Sequence, residues 1–160
     1  MAKKKKRQPD KGAKPPPKCK AILLCERLIV DAQTGTASII CVFNALSVPR
    51  LPGRTRPFQV YLHLTNGIGR YNIVVEIHDL RKDEIIGRGS GLGIAFTNRL
   101  EAIQFAIPVP SLPIVHDGAY DLVVLADGQE IDRQQFAVLV GERPTQAGQE
   151  YEESGDGNGD

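Results

Sequence analysis

The sequence predicts an all-β protein: one antiparallel β-sandwich of about seven to eight strands, flanked by charged tails. Three observations carry that reading. Apolar and polar residues alternate with period two through most of residues 21–140, the signature of strands with one buried face. Turn-forming residues separate these runs at intervals of roughly 10–15 residues. Between them no segment holds a sustained helical period.

Taken in order, "AILLCERLIVD" and "TASIICVFNALSV" are β-branched runs separated by "DAQTG", whose Asp and Gly suit a tight turn. "PFQVYLHL" sets Phe58, Val60, Leu62 and Leu64 against Gln59, Tyr61 and His63; "YNIVVEIHDL" sets Tyr71, Ile73, Val75 and Ile77 against Asn72, Val74, Glu76 and His78. "NGIG" is expected to join these two as a hairpin. "LRKDE" then turns the chain into "IIGRGSGLGIAF". "AIQFAIPVP" follows with Ile103, Phe105, Ile107 and Val109 on one face, a short helix over Asn98–Ala106 being its competitor. Asp127-Gly128 joins "AYDLVVLA" to "QEIDRQQFAVLV" as a two-residue hairpin. Apolar parity slips between Ile131 and Phe136, which predicts a bulge near Asp132–Gln135. Pro49, Pro52, Pro57, Pro108, Pro110 and Pro113 fall at strand ends and in loops, where they spare the central ladders. Such a succession suits a sandwich of the immunoglobulin-like or a related kind.

The chain divides into a basic tail (1–20), the β-domain (21–140) and an acidic tail (141–160). With 160 residues, 41% of them hydrophobic, it has room for one domain with a core. The net charge of +1 hides opposite ends. Nine Lys and Arg face only Asp10 in the first tail, while six acids face Arg143 in the last. Both tails lack apolar residues to bury and are expected to be disordered. No run of 18 apolar residues suggests a membrane-spanning helix. Glu26 and Arg27 interrupt the only stretch resembling a signal peptide, and a bacterial-type cytoplasmic location is expected.

Four glycines, Gly87, Gly89, Gly91 and Gly93, raise the question of a phosphate cradle. A Walker loop needs Lys and then Ser or Thr after its last Gly, whereas Leu92-Gly93-Ile94 stands here. The G-x-G-x-x-G spacing of dinucleotide loops is missed as well. The four share one parity, so in a strand they would strip one face bare and admit a close neighbour; a bent edge strand or a mobile loop is the reading. Cys19, Cys25 and Cys41 lack metal spacing. Cys25 and Cys41 fall on successive strands and are expected to be buried free thiols. His63 and His78 lie about 20 Å apart by hairpin counting at ~3.3 Å per residue, too far to share a metal, and His116 precedes Asp117 in a loop. Asp117, Asp121, Asp127, Glu130 and Asp132 lack calcium-loop spacing. Ser38, Ser47, Ser90 and Ser111 lack a nucleophile elbow. Catalytic, cofactor-binding and metal residues are therefore read as none, and no cofactor is expected.

The stretches "CERLIVDAQTGTASIICVFNALSVPRLP" and "GAYDLVVLADGQEIDRQQFAV" resemble a family of uncharacterised bacterial single-domain proteins, a domain of unknown function, across residues 22–140. That resemblance implies an all-β sandwich and supplies no activity. The functional expectation is a non-catalytic binding or accessory module whose partner is another protein. Candidate surfaces are positions 87–93 and the proline-rich loops near 49–57 and 108–113. The alternative is a polyanion-associated protein. In it Lys3, Lys4, Lys5, Lys6, Arg7, Lys11, Lys14, Lys18 and Lys20 attract nucleic acid or anionic lipid without sequence choice.

Overall fold

A computed structural model describes residues 14–141, which contain strands and no helix. The strands are β1 (Lys18–Val30), β2 (Ala37–Phe43), β3 (Ala45–Val48), β4 (Gly53–Arg54), β5 (Phe58–Thr65), β6 (Gly69–Asp79), β7 (Glu84–Phe96), β8 (Ala102–Val109), β9 (Pro113–Ile114), β10 (Gly118–Ala126) and β11 (Gln129–Val140). One sheet has the order β2-β1-β5-β8, a second β3-β11-β10-β6-β7, and β4 pairs with β9 in a third, two-stranded one. Every pairing is antiparallel except that of β3 with β11.

The period-two pattern places the core. Phe58, Val60, Leu62 and Leu64 of β5 and Tyr71, Ile73, Val75 and Ile77 of β6 are all buried, on different sheets. They join Leu24, Ile107, Leu122, Val124 and Val138 in a single hydrophobic cluster drawn from both sheets. Burying each such aliphatic side chain contributes about 1.5–3 kcal/mol. Tyr71 and Phe96 meet edge to face at 5.9 Å, and the Tyr71 hydroxyl donates to the Pro15 carbonyl. Near the start of β10, Tyr120 donates its hydroxyl to the His116 carbonyl four residues upstream at 2.8 Å. Immunoglobulin-like sandwiches tie a strand corner by the same device.

Several expectations change. Eleven strands replace seven or eight, because the bulk of "TASIICVFNALSV" divides at Asn44 and two short strands tie loops together. Inward-facing Phe43 and Leu46 lie three apart, so the alternation slips at Asn44. There the chain leaves the first sheet and joins the second beside β11. "NGIG" is no hairpin: β5 and β6 belong to different sheets, and the segment crosses over the core with Gly67 under the Phe96 ring. The bulge in β11 sits at Ile131, slightly earlier than expected, since Val124 faces Asp132 while Leu125 faces Glu130. Strand, not helix, occupies Ala102–Val109. The Asp127-Gly128 hairpin is present, with both residues at positive φ (49° and 80°).

The basic tail was expected to extend through Lys20, but Lys18–Lys20 open β1, with Lys18 opposite Thr65. The remaining tail residues, 1–13 and 142–160, lie outside the described residues. So do the candidate polyanion contacts Lys3, Lys4, Lys5, Lys6, Arg7 and Lys11.

Candidate interaction surface

The two proline-rich loops are clasped together. Gly53 and Arg54 pair with Ile114 and Pro113. Buried Thr55 donates its amide to the Leu112 carbonyl and accepts the Leu112 amide on its hydroxyl, each at 3.0 Å. Arg54 donates to the Ser111 carbonyl and hydroxyl, and that hydroxyl donates to the Thr55 carbonyl. Leu51–Pro52 is a cis peptide within the first loop. These bonds give the loops a fixed shape without regular ladders.

The glycine stretch is strand β7, bent by register shifts between Ile73 and Val75 and between Ile77 and His78 of its partner β6. A Cβ at Gly87 would overlap the Leu112 side chain. One at Gly89 would overlap Val75 and lie 2.6 Å from Ile107 Cγ2. Gly87 and Gly89 therefore let β7 close against β8 and the clasped loop, a packing function, but the register shift at Ile73–Val75 turns Gly91 and Gly93 toward Asn72 and Arg70, so the four glycines do not share one face as their parity predicts. Arg88, on the other parity, lines an open hollow of about 430 Å³ together with Glu26, Pro57, Phe58, Gln59, Pro108, Val109 and Pro110. All three stretches singled out by sequence thus converge on one hollow.

A neighbouring hollow of about 440 Å³ shares Glu26, Pro57 and Phe58 and adds Arg27, Ile40, Phe43, Leu46 and Arg56. Phe43 and Phe58 meet edge to face at 6.1 Å. From this hollow the β1–β2 hairpin continues past β5: the last β1 residue paired with β5 is Cys25, while Arg27–Val30 pair with β2 alone. Ile29 (45% exposed), Val30 (56%), Ile40 (39%) and Val42 (51%) stand open on it. β2 is an edge strand. Sequence reading missed this surface, although a signal was present: from Leu28 to Pro49 the only charged residue is Asp31, and exposed edges are normally guarded by charge.

Cys25 and Cys41 do not face one another as buried thiols. Val42 opposes Cys25, which is buried, while Cys41 is exposed with φ of 53°. All three cysteines are free. Burial first, then the charge and hydrogen bond of Asp132, push the Cys19 thiol up to about 12.

His116 and His78 each contact a buried acid, whereas His63 Nε2 is buried without a hydrogen-bond partner among the described residues. His116 Nε2 lies 2.8 Å from both oxygens of Asp79, a carboxylate 1% exposed. Burial alone would raise the Asp79 carboxyl, but His116 and the Lys82 and Arg81 amides outweigh it and hold it below the usual range. His78 contacts Glu76, which also binds Arg88. Burial opposes the Glu76 charge as well, and those two partners overcome it. His63 stands on the other sheet from His78, so hairpin counting does not relate them. Of the acids that lack calcium-loop spacing, Asp121 and Glu130 grip Arg133, and Asp127 accepts the Asn72 amide and pairs with Lys14 at 3.1 Å. Lys14 also caps the Tyr71 ring at 3.9 Å, so this candidate polyanion contact is held by the domain. Lys18 and Lys20 are exposed. Among the described residues no group of three or more His, Cys, Asp or Glu is placed to hold a metal, and no helix is long and apolar enough to cross a membrane.

The architecture and surface define an all-β domain that presents an open apolar hairpin beside two hollows. The chain belongs to a family of unknown function, DUF6941, whose model matches residues 20–139. No curated protein matches it. Among solved structures, the Pseudomonas fluorescens alkylpurine DNA glycosylase AlkC, bound to DNA containing an abasic site analog, is similar at 13% identity with a TM-score of 0.32. That similarity covers 59% of this chain and 27% of that one.

Proposed function

We propose that this chain is a non-catalytic protein-binding module that takes an extended strand of a partner protein on the free edge of β2. The observation that supports it is the apolar, charge-free edge itself, with Ile40 and Val42 exposed and Ile29 and Val30 open beside them on β1. Strand addition satisfies the unpaired backbone groups of such an edge, while pockets beside it select side chains. Covering these half-exposed side chains supplies roughly 1 kcal/mol each. The left-handed Cys41 bends the edge, leaving Ala37–Ile40 as its straight portion. A binding role inside the cell accords with three free thiols.

The test uses Ile40→Lys and Val42→Lys, which place charge on the edge without touching the core. Both variants are expected to keep the β circular dichroism of the wild type and stability within about 0.5 kcal/mol. Affinity purification from native lysate should then recover a partner on the wild type at least about tenfold above either variant, a loss of ~1.4 kcal/mol. Equal recovery of the same partner on all three would move binding away from β2.

A further inference from the structure

Along β5, Cys25 of β1 faces Gln59 at the end from which the β1–β2 hairpin departs, and Lys18 faces Thr65 at the other. That other end carries two adjacent loops, 66–68 and 97–101. The pairs Thr65 with Ala102 and Gly69 with Phe96 bound them on either side, and Gly67 lies under the Phe96 ring. The second loop is braced from within. The Leu100 amide donates to the Asn98 side chain, the Thr97 amide to the Glu101 carboxylate, and the Glu101 amide to the Asn98 carbonyl. This bracing holds Leu100 out at 96% exposure, the most open large apolar side chain among the described residues. Ile68 stands open on the first loop at 39%. A lone exposed apolar residue is ordinary on a protein surface, but here two of them crown neighbouring loop tips.

Cations accompany the tips. Arg99 precedes Leu100, Arg70 lies two residues past Ile68, and Lys18 and Lys20 begin β1 beside Thr65; all four are exposed. The acids nearby are engaged: Glu101 with the Thr97 amide, Asp127 with Lys14, Glu130 with Arg133, and Asp132 with the Cys19 thiol. Lys14, where the described chain begins, is fastened at this same end through Asp127 and the Tyr71 ring. The sequence leading into it adds six Lys and Arg against Asp10 alone, so positive charge is in excess here.

We propose that this end of the domain docks on an anionic lipid bilayer. Leu100 and Ile68 enter the headgroup boundary, and Lys18, Lys20, Arg70 and Arg99 meet the headgroups. Peripheral membrane affinity combines buried apolar area with attraction to anionic lipid, and convex apolar tips beside cations supply both. Nucleic acid would satisfy the charge but leave the tips in water. The aromatic rings at this end, Tyr71 and Phe96, are buried and therefore cannot stack on bases. The β2 edge lies away from the docked end and stays open, so this proposal goes beyond strand addition and is independent of it.

Flotation of the full chain with phosphatidylcholine vesicles, with and without roughly 30% phosphatidylserine, tests the assignment. Wild type is expected to bind the anionic vesicles at least about fivefold more tightly than the neutral ones. Leu100→Ser leaves the core untouched and should bind them about tenfold more weakly than wild type. The chain contains no tryptophan, so Leu100→Trp supplies a single reporter. Its emission should move to shorter wavelength on anionic vesicles and be quenched by lipids brominated in their acyl chains. Equal binding by wild type and Leu100→Ser overturns the proposal, as does emission from vesicle-bound Leu100→Trp that stays at its position in buffer. A wild type that ignores the vesicles overturns it too, in favour of nucleic acid where a duplex DNA oligonucleotide is bound instead. None of these outcomes bears on the Ile40→Lys and Val42→Lys experiment.

Discussion

A methyl group added at Gly89 has nowhere to go, because Val75 and Ile107 are both fully buried and already occupy the space it would need. Branched side chains in a packed core yield only by leaving their rotamers. Gly89→Ala should therefore cost about 1–3 kcal/mol by urea denaturation. Gly93, whose added Cβ would meet only Arg70 at 3.6 Å, should accept the same change with little loss. Glycine spacing alone could not separate the two. Thiol chemistry is equally local. Cys41 is exposed, while burial raises the thiols of Cys25 and Cys19, and a protonated thiol is a poor nucleophile. Titration with a disulfide reagent near pH 8 should show one fast thiol per chain, and Cys41→Ser should remove that phase.

At the scale of elements, the β1–β2 hairpin has to hold its own shape beyond the sheet. Its turn depends on Asp31, whose carboxylate accepts the Gln33 and Thr34 amides and the Thr34 hydroxyl, while the Gly35 amide donates to its carbonyl. Asp31→Ala removes the side-chain bonds, at about 1 kcal/mol for a polar cap of this kind. Hydrogen exchange should quicken at Leu28–Val30 and Ala37–Ile40, with β5 and β10 amides unchanged. Exchange that quickens everywhere would mean that the hairpin is not a separate unit.

Across the whole molecule, the two sheets protect their edges unequally. On one side β7 and β8 lie against each other, with Gly89 under Ile107. On the other, β3 is a short strand and β2 is left open. Acid stability is also a global property. Asp31, Glu76, Asp79, Asp127 and Glu130 all have carboxyls held below their ordinary range in the folded chain. A carboxyl depressed by folding adds stability above its unfolded value of about 4, and that stability is lost as pH falls through the folded value. Urea midpoints should thus be flat from pH 7 to about 5 and fall steeply below about 4. Asp79→Asn should lower the plateau by about 1–3 kcal/mol and make the acid limb shallower.

Alternation alone determined the inward set Phe58, Val60, Leu62 and Leu64 of β5 and Tyr71, Ile73, Val75 and Ile77 of β6, and that the chain is all-β, because period two is a property of a single extended strand. The Asp127-Gly128 turn was legible for a similar reason, since its positive φ values depend on two adjacent residues. Only the tertiary structure decided which strand lies beside which. Nothing local distinguishes a hairpin from a crossing between sheets at residues 66–69, or marks Asn44 as the point of transfer. The partnership of Asp79 with His116, the convergence of loops some 57 residues apart, and the open edge of β2 arise from contacts between distant segments, and no single stretch of sequence encodes them.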